Sequence, residues 1–111
     1  MVKKGTHSYL TDSRNRNIKI FINGRLYHRD EANISVFDSG FLLGDGVWEG
    51  VRLLNGEIVF LENHLERLYD GAEKLAIDIG YSPEDLTRLL NKTINANKMK
   101  TGVHIRIIVS R

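Results

Sequence analysis

Residues 37–54 read FDSGFLLGDGVWEGVRLL, a glycine-rich apolar turn followed by the strand-like run Val47–Leu54. Asn55-Gly56 comes next, and Asn-Gly suits a two-residue hairpin turn because both positions tolerate a positive φ angle. Residues 57–61 are then expected to return beside the first strand. The stretch therefore predicts an antiparallel β-hairpin preceded by a loop.

Side chains alternate across a strand, so Trp48, Gly50 and Arg52 are expected to share one face. The opposite face carries Glu49 among apolar neighbours. Because both faces are mixed, alternation leaves open which one meets the core, and whether Arg52 faces a ligand or solvent. From these residues alone, a buried loop leading into a core strand is favoured over a wall of a ligand pocket.

A second hairpin is predicted nearer the N-terminus. Residues 18–22 are rich in β-branched and aromatic side chains, Asn23-Gly24 supplies the turn, and residues 25–28 return. Residues 1–17 are polar and aperiodic, so they are expected to form a flexible arm without regular structure.

Two helices are predicted between these hairpins and the C-terminus. Asn63 and Glu66 match a capping box, and Gly80-Tyr81 is expected to end the first helix. The packing stripe of this helix consists of Leu61, Leu65, Leu68, Ala72, Leu75, Ala76 and Ile79. Ser82 and Pro83 begin the second helix as a cap and a first helical residue.

Arg67 lies on a face of the first predicted helix that neighbours the apolar stripe. Asp70 and Glu66 are close to it in sequence, so a solvated ion pair with one of them is favoured from spacing alone. An inward-reaching arginine beside Gly71 is the alternative.

Residues 103–110 form a run of β-branched residues that predicts a last strand. His104 and Arg106 share its less apolar face and could donate hydrogen bonds to a carboxylate or phosphate. A sheet face covered by solvent is the alternative reading. The chain as a whole predicts an α/β (α+β) domain with two layers, a mostly antiparallel sheet and two helices packed on one side.

Composition excludes several classes of protein. The chain has 111 residues, 41% hydrophobic and 27% charged, which is typical of one folded domain. It contains no cysteine, and its four histidines lack the spacing of a helical metal site, so no disulfide or metal centre is expected. A net charge of +2, the lack of a signal sequence and the lack of a long apolar run favour a soluble cytoplasmic protein without nucleic-acid or membrane partners.

Three linked motifs resemble the fold-type IV pyridoxal-phosphate aminotransferases. They are FINGRL at residues 21–26, SVFDSGFLLGDGVWEGVRLLNGEIVFLENHLERLYDGAEKL at residues 35–75 and HIRIIVSR at residues 104–111. This family includes branched-chain and D-amino-acid aminotransferases, R-selective amine transaminases and aminodeoxychorismate lyases. Residues 18–111 resemble its smaller, N-terminal domain.

The resemblance implies roles for several residues. Arg67 matches the arginine that binds the phosphate of the cofactor, pyridoxal 5′-phosphate. Trp48 matches an aromatic residue that lines the substrate pocket. Arg106, with His104, matches a position that contacts the substrate carboxylate in some members, although tyrosine often stands where this chain has His104. Arg52 is a further candidate for that carboxylate.

In this family the lysine that forms the Schiff base lies in a C-terminal domain, beyond the position of Arg111. The resemblance therefore implies a fragment, inactive alone, of an enzyme that transfers an amino group between an amino acid or amine and a 2-oxo acid. It also implies a homodimer or larger homo-oligomer, in which the turn at residues 41–44 reaches a neighbouring subunit. The alternatives are a lyase with the same cofactor and a non-catalytic binding module.

Overall fold

The computed structural model describes residues 12–111, which fall into two compact units that divide between Ala32 and Asn33. The first unit contains strands β1 (Lys19–Ile22) and β2 (Arg25–His28), paired antiparallel. Its turn has φ angles of 47° at Asn23 and 93° at Gly24, which confirms the predicted Asn-Gly hairpin.

Two short 3-10 helices flank this hairpin, at Ser13–Asn17 and Arg29–Glu31. The prediction of no regular structure before residue 18 is wrong for the first of them, where the Asp12 side chain accepts a hydrogen bond from Arg14 N and caps the turn. Residues 1–11 of the predicted arm lie outside the described part of the chain.

The second unit contains three helices and three strands. In chain order they are α1 (Ser39–Leu43), β3 (Gly46–Leu54), β4 (Glu57–Ile58), α2 (Leu61–Lys74), α3 (Pro83–Ala96) and β5 (Val103–Ser110). The strands form one antiparallel sheet in the order β4-β3-β5, with β3 in the centre. The predicted mixed fold with antiparallel strand pairing is confirmed, with one helix more than expected. The strands form two separate sheets and not the single predicted sheet, and β4 ends at Ile58, short of the predicted residue 61.

The additional helix, α1, replaces part of the predicted glycine turn. The Asp38 side chain caps it by accepting from Phe41 N at 3.0 Å, and Gly44 ends it with a φ angle of 69°. Ser110 Oγ, on β5, donates to Asp38 Oδ1 at 2.6 Å. A Cβ on Gly40 would lie 2.7 Å from Ser110 Cβ, so glycine permits this close approach. A helix of five residues is too short to show a periodic pattern.

The predicted start of α2 is wrong and that of α3 is right. The helix α2 begins two residues before Asn63, after Phe60 in a left-handed conformation, and His64 N donates to Phe60 O. Asn63 therefore lies inside the first turn and cannot cap it. At α3, Ser82 Oγ accepts from Asp85 N at 3.1 Å, as the cap signal indicated.

The end of α2 also differs from the prediction, which placed it at Gly80-Tyr81. Ala76 adopts a φ angle of 54°, and Ile77 N donates to Ala72 O at 2.8 Å. This closure resembles a Schellman motif, in which a left-handed residue stops the helix. Arg111 Nη1 donates to Ala76 O at 3.1 Å and satisfies a further carbonyl.

The core lies between one face of the sheet and the helices α2 and α3, as predicted. The buried cluster consists of Val51, Leu65, Leu68, Leu86, Leu90 and Ile107. The opposite face of the sheet, which carries Trp48 and Ile108, is exposed. Tertiary packing thus decides the question that alternation left open.

No helix within residues 12–111 is long and apolar enough to cross a membrane. The same part of the chain gathers no group of three His, Cys, Asp or Glu side chains that could hold a metal ion.

Candidate functional site

The exposed face of the three-stranded sheet brings together side chains that lie far apart in sequence. Trp48, Gly50 and Arg52 of β3 share this face, as predicted, and Trp48 is 61% exposed. Their partners across the sheet on β5 form the pairs Trp48↔Ile108, Gly50↔Arg106 and Arg52↔His104. The two strands therefore present one aromatic and several basic side chains on a single surface.

One side-chain contact and one glycine arrange the side chains on this surface. The Arg106 guanidinium lies over the Trp48 ring, 4.7 Å from its centroid, which is cation–π geometry. A Cβ on Gly50 would lie 2.9 Å from Cε1 of His104. The missing side chain at Gly50 therefore leaves space for the imidazole to lie across the strand.

A concavity of about 700 Å³ opens beside these residues. Its lining consists of Gly46, Val47, Trp48, Glu49, Gly50, Arg67, Leu68, Gly71, His104 and Arg106. Four of the five predicted site residues contribute to it. Arg52 lies on the same sheet face but outside this lining.

A buried carboxylate connects Arg67 to the sheet. Glu49 is only 4% exposed, and it accepts hydrogen bonds from Arg67 Nε to Oε1 and from Arg67 Nη2 to Oε2, the latter at 2.8 Å. His64 Nδ1 lies 2.9 Å from Oε2 and donates to it, because a carboxylate only accepts. The expected pairing of Arg67 with Asp70 or Glu66 is wrong.

The contact keeps both groups charged. Hydrogen bonding from Arg67, supported by that from His64, lowers the pKa of Glu49 from 4.5 to about 2, although burial opposes this shift. The same carboxylate raises the pKa of Arg67. The side chain of Arg67 is nevertheless 73% exposed, so the guanidinium is fixed on one side and open on the other.

We expect Glu49 to make stability depend on pH in the acid range. Its pKa is lower in the folded protein, so its contribution is complete above about pH 4.5 and is lost as pH falls through about 2. Allowing for solvent screening at the exposed Arg67, this loss should be about 2 kcal/mol. Urea unfolding between pH 7 and 2 measures it.

The matched variants for this pH series are Glu49→Gln and Glu66→Gln. Glu66 is an exposed carboxylate on the same helix as Arg67. Glu49→Gln should flatten the acid slope by the stated amount, and Glu66→Gln should keep the wild-type slope. Equal slopes in wild type and Glu49→Gln would contradict the assignment.

Glu49, His64 and Gly71 contribute to the site but were absent from the sequence-based candidates. The available signal was Glu49 itself, a single carboxylate on a strand face that otherwise carries valine and leucine. Such a residue requires a partner, because an unpaired buried charge is costly. The sequence indicates Gly71 only as the small neighbour of Arg67; in the structure it faces Val47, whose Cγ1 would lie 3.3 Å from an added Cβ.

Comparison with known protein families identifies a match that covers the whole candidate site. The family model for amino-transferase class IV matches residues 46–111. A putative branched-chain-amino-acid aminotransferase of Methanocaldococcus jannaschii is 39% identical over 94 residues, which are 85% of this chain and 32% of that protein. A D-alanine aminotransferase of Listeria innocua is 42% identical over 85 residues, 77% of this chain and 29% of that protein.

A solved structure shares the fold. The branched-chain aminotransferase of the thermophilic archaeon Thermoproteus uzoniensis, crystallised with norvaline, superimposes with a TM-score of 0.75 and 33% sequence identity. The match covers 86% of this chain and 34% of that one. The chain therefore spans about a third of the length of the relatives that it matches.

Proposed function

The chain belongs to the class IV aminotransferase family, and on this premise we propose that its complete protein transfers an amino group between an amino acid or amine and a 2-oxo acid. Pyridoxal 5′-phosphate would supply the electron sink for this transfer. The observation that carries the proposal is the exposed but fixed Arg67, which shares one concavity with Trp48, His104 and Arg106. The two relatives are named for branched-chain amino acids and for D-alanine. The proposal therefore covers both of these kinds of amino acid.

Arg67 is proposed to bind the cofactor phosphate. Its Nε–H and one Nη2–H group point to Glu49, which leaves the two N–H groups of Nη1 and the second of Nη2 for another acceptor. Phosphate oxygens suit this edge, since an arginine can engage two of them at once. The residues present thus fit a phosphate-bearing cofactor.

Arg106 and His104 are proposed to bind the substrate carboxylate, with Trp48 as the apolar wall beside them. Stacking on Trp48 holds the Arg106 guanidinium against the sheet without using its N–H groups. Those groups can then donate to a carboxylate. Arg52 is proposed as an outer contact, because it faces His104 across the strands but does not line the concavity.

These 111 residues are proposed to bind the cofactor without completing the reaction. Within residues 12–111, none of the side chains that line the concavity is a lysine, and an amine is required to hold the cofactor covalently. The proposal also includes a cytoplasmic location and a homodimer or larger homo-oligomer. The apolar side chains of Phe37, just before α1, and of Phe41 and Leu43, within it, are exposed. Such a surface supports association between copies of the protein.

The first test compares two ligands that differ only in the phosphate. Pyridoxamine 5′-phosphate should bind the 111-residue protein about a hundredfold more tightly than pyridoxamine, since two charge-assisted hydrogen bonds from Arg67 are worth that factor. Isothermal titration measures both affinities. Equal affinities would remove Arg67 from the proposed phosphate site.

The second test concerns turnover. With pyridoxal 5′-phosphate, an amino acid and a 2-oxo acid, the 111-residue protein should not exceed the rate of the free cofactor, whereas the complete protein should produce the new amino acid. Turnover by this chain alone would contradict the proposed inactivity. Release of product from the complete protein without amino transfer to the 2-oxo acid would favour the lyase.

A further inference from the structure

The planar guanidinium of Arg67 has two edges at which two N–H groups point in parallel. The side-on edge, formed by Nε and Nη2, is occupied by Glu49. The end-on edge, formed by the N–H groups of Nη1 and the second N–H of Nη2, makes no hydrogen bond to the described residues 12–111, and the side chain as a whole is 73% exposed. One arginine can therefore engage a carboxylate and a phosphate at the same time.

We infer that Glu49 is a positioning residue, which holds Arg67 so that its end-on edge faces the concavity and receives the phosphate of the cofactor. This inference rests on the proposed function, because it assumes a phosphate-bearing ligand at Arg67. It assigns Glu49 no contact with that ligand.

The surroundings of Glu49 suit a fixed anchor. It projects from the centre of β3 on the core face, between the half-buried Val47 and the buried Val51. The hydrogen bond from His64 gives the carboxylate a second attachment on α2, one turn before Arg67. Both partners of Glu49 thus come from the same helix, and the carboxylate sets the orientation of that helix surface relative to the sheet.

Two effects of Glu49 on phosphate affinity oppose each other. Its negative charge repels a phosphate, and in a largely solvated setting this repulsion weakens binding about threefold. A free arginine, in contrast, samples many rotamers, and fixing it during binding weakens affinity about tenfold. If positioning dominates, removal of the charge must weaken binding. If repulsion dominates, removal must strengthen it.

A double-mutant cycle on the 111-residue protein separates these effects, with the dissociation constant of pyridoxamine 5′-phosphate as the readout. Glu49→Gln preserves the size of the side chain and should raise the dissociation constant about threefold, which is the net of about a tenfold loss of positioning and about a threefold relief of repulsion. In an Arg67→Ala background the same substitution should instead lower the dissociation constant about threefold, because the repulsion is still relieved but no guanidinium remains to be positioned. Glu66→Gln is the control and should have no effect.

The outcomes distinguish this inference from the proposed function. If Arg67→Ala itself leaves the affinity unchanged, phosphate binding at Arg67 is wrong. If Arg67→Ala weakens binding but Glu49→Gln is neutral or strengthens it, only the positioning role fails. An equal weakening by Glu49→Gln in both backgrounds would indicate a purely structural contribution and would also overturn the inference.

A measurement on the unmodified protein keeps the test independent of folding of the variants. Proton NMR should show the Arg67 Nε–H protected from solvent exchange, and this protection should persist when pyridoxamine 5′-phosphate is added. Loss of protection on ligand addition would mean that Arg67 leaves Glu49 to bind phosphate, which contradicts the inference.

Discussion

Replacement of Arg67 by alanine is expected to weaken the binding of pyridoxamine 5′-phosphate about a hundredfold. Two charge-assisted hydrogen bonds to phosphate contribute about 1.5 kcal/mol each, and about 1.4 kcal/mol corresponds to a tenfold change in affinity. The end-on edge of this exposed arginine is the group that would make them. Binding of pyridoxamine, which lacks the phosphate, should change little. Isothermal titration of both ligands measures the difference.

The control for this experiment is Arg88→Ala. Arg88 is also an exposed helical arginine with a carboxylate partner, Asp85, but it lies on α3 and does not line the concavity. Its removal lowers the net charge by the same amount, so it should reduce phosphate affinity only slightly. Equal losses in the two variants would show that general positive charge, and not the site at Arg67, attracts the ligand.

Replacement of Leu68 by alanine should produce the largest loss of stability among these substitutions. Leu68 is only 1% exposed and belongs to the buried cluster that joins α2 to the sheet. Loss of the buried methyl groups and the cavity left behind should lower the free energy of unfolding by about 3 kcal/mol. Urea unfolding, followed by the fluorescence of Trp48, the single tryptophan, measures this change.

The matched control is Leu75→Ala, the same chemical change just beyond the end of α2. The sequence placed Leu75 in the packing stripe together with Leu68, but the structure leaves it 45% exposed. Its replacement should therefore cost less than about 1 kcal/mol. A loss as large as that of Leu68→Ala would mean that α2 continues toward Gly80, as the sequence pattern had indicated.

The sequence predicted a structural feature correctly where that feature depends on residues close together in the chain. The Asn-Gly turns, the cap at Ser82 and the strand at residues 103–110 depend on neighbouring residues, and all were predicted where they occur. The helix α1 depends on contacts between Asp38, Gly40 and the distant Ser110, which no local pattern shows. The end of α2 depends in part on Arg111 in the same way.

The same distinction applies to the candidate site, where the residues were predicted but the partner of Arg67 was not. The resemblance to the family selected Arg67, Trp48, His104 and Arg106, and the structure brings these four to one concavity. Periodicity on the helix paired Arg67 with Glu66 or Asp70, because spacing counts only neighbours on the same element. The actual partner, Glu49, lies on another element.

Local patterns and the family resemblance were therefore sufficient to predict the two hairpin turns, the last strand, the start of α3, the family and four residues of the candidate site. The folded arrangement was needed to show which face of β3 is exposed, that Arg52 lies outside the concavity and that Glu49 binds Arg67. The physical reason is that these features depend on strand register and on helix packing. Glu49 and Arg67 are 18 residues apart, and they meet only when α2 packs on the sheet.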